Sequence, residues 1–466
     1  MISPADGTVL GKVCDADRED VLDAITSARR AFDETDWATD RQLRKRALTQ
    51  LLDALIEEKE ELREELIAEA GAPRMLTHGA QLEEPLKKFR WHLDHIDRFE
   101  WVRRLDDAVN RQTNRPTQRW VLKEPIGVVA AITPWNFPLG LLLVKLAGAL
   151  ATGNTVVAKP APQTPWNATR VGRLVAERTD IPAGVVNVVP TSKLDAAELL
   201  LTDPRVNMVS FTGSTATGQR ILELAAPTFK RTMLELGGKS ASIILDDADL
   251  AQAIPAALGA LAHAGQGCAL PTRLLVQRTV YDQVVAGLKQ AFEQAPWGDP
   301  QDQGMLAGPV ISAQQRDRIA DYIRIGREEG AKLLVGGGVP DRPGFWVEPT
   351  LFVDVDNDST IAQEEIFGPV LTVTPFDTDE EAIHLANASR YGLAGYVASA
   401  STERALRIAR AVRAGSLMIN GGSFSGGDAP FGGYKASGIG REGGHEGFEI
   451  YTETKTIGSA PPLPLA

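Results

Sequence analysis

From Gly127 onward the sequence alternates short, continuous apolar runs with helical stretches, and this alternation constrains the fold more than any other feature. "IGVVAAIT", "GNTVVAKP", "GVVNVVP", "VNMVSFTGS" and "RTMLELGG" follow one another at helix-sized intervals. Strands that are apolar throughout belong to parallel sheets covered by helices on both faces. A second series, "RLLVQ", "AKLLVGG", "PVLTVTPF", "GLAGYVAS" and "SLMIN", repeats the pattern after Cys268. The chain therefore reads as α/β, and ligands of such sheets bind at the C-terminal ends of the strands.

The flanking segments have other textures. "REDVLDAITSARRAF" and "DRQLRKRALTQLLDALIEEKEELREELIAEA" place apolar residues at helical spacing, and the charged stretch Glu57–Glu65 reads as a solvated helix face. "NRQTNRPTQRWVLKEP" reads as a polar β-hairpin outside either sheet, and the chain ends in a β-like run with a proline-rich tail, "YTETKTIGSAPPLPLA".

Composition excludes several classes of function. A length of 466 residues supports two to four domains at ~100–200 residues each. A net charge of −12, with Lys and Arg scattered, leaves no footprint for nucleic acid or an anionic membrane. The longest apolar run, "PLGLLLVKLAGAL", is interrupted by Lys145 and falls short of the roughly 20 residues of a membrane span. Two cysteines form no disulfide framework, and six dispersed histidines form no zinc cluster with them, so no metal is expected. Without a basic-then-apolar leader, the expected location is the cytoplasm, with reduced thiols.

A few residues stand where chemistry is possible. Cys268 sits in "HAGQGCALPTR" between glycine and alanine, which is either a loose loop or an accessible nucleophile. Glu235 ends an apolar strand in "MLELGGKS", where desolvation raises a carboxyl pKa toward that of a base; pairing with a nearby cation is the alternative. Asn136 in "TPWNFP" is either an amide donor to an oxyanion or ordinary turn chemistry. "FTGSTATG" puts Gly213 and Ser214 at a strand-to-helix turn suited to a pyrophosphate, and Lys159 caps another strand. Together at the ends of parallel strands they point to acyl chemistry on a thiolate beside a nucleotide.

In order and spacing, "TPWNFP", "AKPAPQTP", "FTGSTATG", "LELGGKS", "GQGCALPTR", "QEEIFGPV" and "PFGGYKASGIGREGG" resemble the NAD(P)-dependent aldehyde dehydrogenase superfamily over essentially the whole chain. The resemblance implies a Rossmann-like parallel-sheet cofactor domain (1–107 and 126–236) and an α/β catalytic domain (237–435). It adds a small β oligomerisation element with the C-terminal segment (108–125 and 436–466), and a homodimer or homotetramer. Cys268 matches the nucleophile and Glu235 the general base, while Asn136 and the Cys268 backbone N–H match the oxyanion hole. Lys159 falls on the adenine ribose, Gly213 and Ser214 at the pyrophosphate, Glu365 on the nicotinamide ribose and Phe367 near its ring. Ile132, Trp135 and Gly237 complete the cofactor cleft. The implied reaction takes a small-molecule aldehyde to its acid with NAD, NADP being possible, through a thiohemiacetal and a thioester hydrolysed by water that Glu235 activates.

The chain departs from the pattern at Pro162, where many NAD-preferring members carry a carboxylate for the ribose 2′-hydroxyl. No added Arg near Pro162 offers a 2′-phosphate partner, which favours NAD. The tunnel for the aldehyde is expected near Gly140–Val144, Ala264–Pro271 and Asn420–Asp428. The rivals are a CoA-acylating enzyme, disfavoured by Glu235; a silent binding relative, disfavoured by retention of the whole residue set; and a cysteine hydrolase, disfavoured by the "FTGSTATG" turn.

Overall fold

The computed structural model describes residues 1–461 and 463, so most of the proline-rich tail lies outside the described residues. The helix Arg18–Glu34 starts where the Asp17 carboxylate accepts from the Glu19 and Asp20 amides while Asp20 returns a bond to the Asp17 amide. The long charged stretch breaks at Glu58 into two helices, Arg41–Glu57 and Lys59–Ala70, the second closed by Gly71 at φ 63°. Its charges are less solvated than expected. Glu58 and Glu65 accept from Arg170, and Glu58 also from Arg173, both on the helix Trp166–Arg178. Arg63 is buried against Glu60, Glu83 and Thr77. The stretch is a helix–helix interface held by ion pairs.

The strands run, in chain order, β1 (Val102–Asn110), β2 (Arg115–Pro125), β3 (Val128–Ile132), β4 (Thr155–Lys159), β5 (Val186–Val188), β6 (Met208–Thr212) and β7 (Arg231–Glu235). They continue with β8 (Ala241–Ile244), β9 (Arg273–Gln277), β10 (Lys332–Val335), β11 (Thr350–Val353), β12 (Val370–Phe376), β13 (Ala394–Ala398), β14 (Ser416–Ile419), β15 (Gly438–Ile439) and β16 (Thr452–Ser459). They form three sheets, ordered β15-β7-β6-β3-β4-β5, β10-β11-β12-β9-β8-β13-β14 and β1-β2-β16.

In the first sheet β7, β6, β3, β4 and β5 are parallel, and only β15 is antiparallel. Alternation along β3 feeds two layers. Val129 and Ala131 pack with Leu139, Leu142, Leu143 and Leu146 of the helix Pro138–Ala151. Val128 and Ala130 pack with Val21, Ile25 and Ala28 of Arg18–Glu34 on the other face. Each leucine so buried contributes roughly 1.5–3 kcal/mol, and the two-sided burial is why these strands are apolar throughout. Register aligns the strand ends that matter: Ile132 pairs with Lys159 and Phe211, and Thr212 with Glu235.

Residues 236–240 carry the chain from β7 into the second sheet, parallel except for β10. The polar hairpin lies outside both sheets, paired with β16. Its first strand begins at Val102, before the stretch the sequence marks, because a largely exposed strand carries no apolar signature. Sequence reading also passed over β8 and β11, two four-residue strands. Among the described residues no helix is long and apolar enough to cross a membrane.

Candidate active site

The approach to Cys268 is strained. After the helical turn that ends near Leu261, His263, Ala264 and Gly265 follow one another in the left-handed region at φ 52°, 53° and 74°. A Cβ on Gly265 would meet the Gly368 carbonyl oxygen at 1.9 Å, so only glycine fits. Buried Gln266 holds the turn: its amide donates to the His263 carbonyl at 3.0 Å and the Pro309 carbonyl at 3.3 Å, and its oxygen accepts from the Ile311 amide at 2.8 Å. Such strain persists only where neighbours over-determine it. The loop around the cysteine is not loose.

Cys268 is half-buried and faces the glycine pair that ends "LELGG". A Cβ on Gly238 would come within 2.2 Å of the Cys268 carbonyl oxygen, and one on Gly237 within 2.4 Å of Glu365 Oε2. The two glycines thus let β7, the cysteine loop and the Glu365 segment meet at backbone contact. Glu365 Oε1 accepts from the Gly238 amide at 2.9 Å.

These contacts frame a cleft of about 190 Å³. Trp135, Asn136, Gly213, Ser214, Gly237, Glu365 and Phe367 line it together with Cys268, joined by Gln315 and Arg318, which sequence reading did not name. The Trp135 and Phe367 rings meet edge-on, with centroids 5.4 Å apart, and Phe367 itself stands at φ 58°. Ser214 caps the helix Thr215–Ala225 by accepting from the Thr217 amide, which turns the helix N-terminus toward the cleft. Ile132 and Lys159 lie outside this lining, side by side at the ends of β3 and β4. Burial pushes the Lys159 ammonium down, opposed by the Asp15 carboxylate; its Nζ donates to the Pro160 carbonyl at 3.3 Å. A cradle with small residues at a helix N-terminus, an aromatic slot and a carboxylate at its end fits a dinucleotide.

Charge around the cysteine runs against a resting thiolate. Burial first, then the Glu365 and Glu235 carboxylates, push the Cys268 thiol up to about 12. Burial likewise raises Glu365 to about 7, against the pull of the Gly238 amide, Arg318 and Lys239. Glu235 is raised well above the ordinary carboxylate range by burial and then by Glu442, with Lys145 and Arg441 opposing. Neither Glu235 oxygen has a hydrogen-bond partner, and a Cβ on Gly432 would touch Oε1 at 2.6 Å. An unpartnered buried carboxylate is costly, so the cation-paired alternative for Glu235 fails.

The cation goes to another acid. Lys145, which interrupts the apolar helix Pro138–Ala151, is ion-paired with buried Glu442 and donates to Ser210 Oγ at 3.2 Å; Ser210 in turn meets the Tyr451 hydroxyl at 3.0 Å. Sequence reading gave neither Lys145 nor Glu442 a role. The signal was a lone charge in an apolar helix, which needs a buried partner. Asn136 is fixed from both ends: its carbonyl accepts from Gln81 at 2.9 Å and its Nδ2 donates to the Gln266 carbonyl at 2.9 Å. One of its two amide protons is left for the cleft. Among the described residues no group of His, Cys, Asp or Glu is arranged to hold a metal.

Residues 1–457 match the model of the aldehyde dehydrogenase family. Over 465 residues the chain is 40% identical to a protein of Staphylococcus aureus (strain bovine RF122 / ET3-1) described as a candidate aldehyde dehydrogenase, covering 98% of this chain and 94% of that one. It resembles the crystal structure of betaine aldehyde dehydrogenase from Staphylococcus aureus in complex with NAD+, with TM-score 0.95, 36% identity, and 100% and 92% of the two chains covered. It resembles equally an aldehyde dehydrogenase of Mycobacterium tuberculosis complexed with NAD+, with TM-score 0.94, 40% identity and coverage of 100% and 95%. With likeness this extensive in both sequence and fold, the chain belongs to the aldehyde dehydrogenase family.

Proposed function

We propose that this chain oxidises an aldehyde to its carboxylic acid with NAD+, through a covalent intermediate on Cys268. The observation that carries the reading is the convergence on one cleft of Cys268, the Asn136 amide, the Gly237 backbone and Glu365, with the unpartnered carboxylate of Glu235 close enough to raise the thiol.

Because the thiol rests protonated, attack on the aldehyde carbon needs a base, and Glu235, itself raised by burial, takes that proton. The thiolate bonds to the carbonyl carbon, and the resulting oxyanion is held by the free Asn136 amide proton and the Cys268 backbone N–H. Loss of one such donor costs roughly 10²–10³ in kcat. The chemistry NAD+ supplies when bound is acceptance of hydride, which takes the thiohemiacetal on Cys268 to a thioester. Lys159 and Ser214 would hold the adenosine and pyrophosphate, and Glu365 the nicotinamide ribose, with Trp135 and Phe367 walling the ring. Once the proton taken from the thiol has passed to solvent, Glu235 removes a proton from the water that attacks the thioester and returns it to the departing sulfur, which releases the acid and the thiol. The exposed Pro162 brings neither a carboxylate nor a cation to the adenosine end, so NAD is preferred and NADP admitted.

The division into a cofactor part (1–107, 126–236), a catalytic part (237–435) and an assembly part (108–125, 436–466) follows the three sheets closely. Two stretches are exceptions: residues 102–107 of β1 lie in the third sheet, and Gly438–Ile439 joins the first. The outer strands β1 and β16 of the third sheet each keep one free edge among the described residues, and such an edge invites pairing. Copies would assemble there as a homodimer or homotetramer in the cytoplasm.

The test is NADH production over a panel of aldehydes, with acid or thioester product analysed with and without CoA. Wild type is expected to form the free acid in either case. Cys268→Ala should abolish NADH production while retaining NAD+ binding, and turnover by that variant would refute the mechanism.

A further inference from the structure

We infer that the aldehyde side of this site takes an uncharged aromatic aldehyde, stacked along a row of three rings: Tyr396, Phe424 and Phe431. The inference rests on the reading of Cys268 as the nucleophile of an aldehyde oxidation and names its substrate class.

The row begins beside the cysteine. Tyr396 lies on β13, in register with Ser242 and Met418, on the opposite face from Val397, which joins the core under the helices Asp379–Asn387 and Thr402–Ala411. Its hydroxyl donates to the Ala269 carbonyl at 2.7 Å, which fixes the ring against the residue that follows Cys268. The Phe424 centroid is 6.3 Å from that of Tyr396 at 53° between planes, and Phe431 is 6.2 Å from Phe424 at 32°. Both spacings fall in the range of interacting aromatic pairs.

The rings are not core. All three are half-buried, and none belongs to a buried hydrophobic cluster. They also share no residue with the cleft walled by Trp135 and Phe367, and the row reaches the cysteine loop through Tyr396 at Ala269. The loop that carries Phe424 is otherwise built from glycine and serine, "GGSFSGG" over 421–427. One end is anchored: a Cβ on Gly427 would come within 2.3 Å of Trp91 Cβ. The other is free, with Gly421 at φ 73° and nothing within 4 Å of the place its Cβ would take. One large ring on a pliant loop can adjust against a flat ligand without disturbing the core. The rings follow one another at 6.3 and 6.2 Å with tilts of 53° and 32°, whereas capture of a cation favours ring faces set around one point. The acid of the loop, Asp428, turns back onto Gly426, where a Cβ would lie 2.6 Å from its Oδ1.

The experiment measures kcat/KM of wild type, Phe424→Ala, Phe424→Leu and Tyr396→Phe with phenylacetaldehyde, benzaldehyde, propanal and a trimethylammonium aldehyde. Wild type is expected to favour the aryl aldehydes. Phe424→Ala should reduce the aryl-to-propanal ratio about tenfold, the upper end of what a stacked pair contributes. Phe424→Leu, which keeps apolar bulk without the ring, should lower the ratio as well, and Tyr396→Phe, which keeps the ring but loses the bond to the Ala269 carbonyl, should lower it less than Phe424→Ala does. Binding of benzoate to the Cys268→Ala protein should weaken when Phe424→Ala is added. A wild-type preference for propanal or for the cationic aldehyde, or an unaltered ratio in folded Phe424→Leu, overturns the aromatic assignment while leaving aldehyde oxidation standing. No NADH from any aldehyde, with NAD+ still bound, overturns the underlying reading and this one with it.

Discussion

A thiol raised to about 12 lies almost wholly in its protonated form at neutral pH, and two carboxylates contribute to that rise. Under the proposed mechanism, the same acid that hinders the thiolate at rest is the one that creates it. Two consequences of Glu235→Gln therefore have opposite signs. Removing the charge relieves repulsion, so above the pH at which Glu235 titrates, iodoacetamide should label Cys268 faster in the variant. Removing the base should lower turnover by about 10²–10⁴-fold. Slower labelling together with slower turnover would mean that Glu235 acts on the cysteine only through packing. As candidates, Glu235 was legible as the end of an apolar strand and Cys268 and Asn136 from their short motifs, whereas Glu365 came only through the family resemblance. The left-handed run at His263 and Ala264 was not, since neither residue type marks positive φ and the conformation is imposed by Gln266 and by the chain at Gly368.

At the scale of elements, the helix Pro138–Ala151 is the most instructive. Its apolar residues cover β3 and β4, while Lys145 enters the same interior and finds Glu442 from the far end of the chain. A buried pair of this kind adds little net stability, but breaking one half is expensive. Lys145→Met should lower unfolding free energy by about 3–5 kcal/mol, leaving Glu442 charged and alone. Adding Glu442→Leu should recover most of the loss, as read from denaturant midpoints; failure of the double variant to recover would mean that the pair is not the main interaction of Lys145. Most strands came through in the sequence where burial on two faces made runs continuously apolar. β1 escaped notice because it is largely exposed, whereas β8 and β11 were passed over although they are as long as β10 and β14, which were read. The lone charge of Lys145 in an apolar helix signalled the need for a partner, but nothing local pointed to Glu442, 297 positions away.

The molecule as a whole carries a second set of buried titratable groups. His92 and His263 are pushed down to about 4 by burial, from an ordinary value of 6.5. Both are neutral in folded and unfolded chains above 6.5. Below it the unfolded chain gains protons first, and by pH 4 each has removed about 3 kcal/mol of stability. Glu69, raised by burial to about 8 despite bonds from the Trp166 and Asn167 amides, works in the other direction: its stability cost grows as pH rises from 4.5 through 8. The thermal midpoint should therefore peak between 4.5 and 6.5. His92→Gln should flatten the acid limb and Glu69→Gln the alkaline limb, as followed by thermal melts across pH. Limbs unchanged in both variants would assign the pH response to other groups.

The short strand Gly438–Ile439 lies against Leu234 and Glu235, and Gly432 and Glu442 come from the same stretch. The floor beneath Glu235, the base of the proposed reaction, is thus translated long after the cysteine has emerged. A nascent polypeptide stalled before this stretch would display its sulfur without the walls that set the acid's protonation. Messages truncated there would yield inert fragments rather than half-working enzymes that trap carbonyl compounds, and competence would arrive in one step once this stretch is in place.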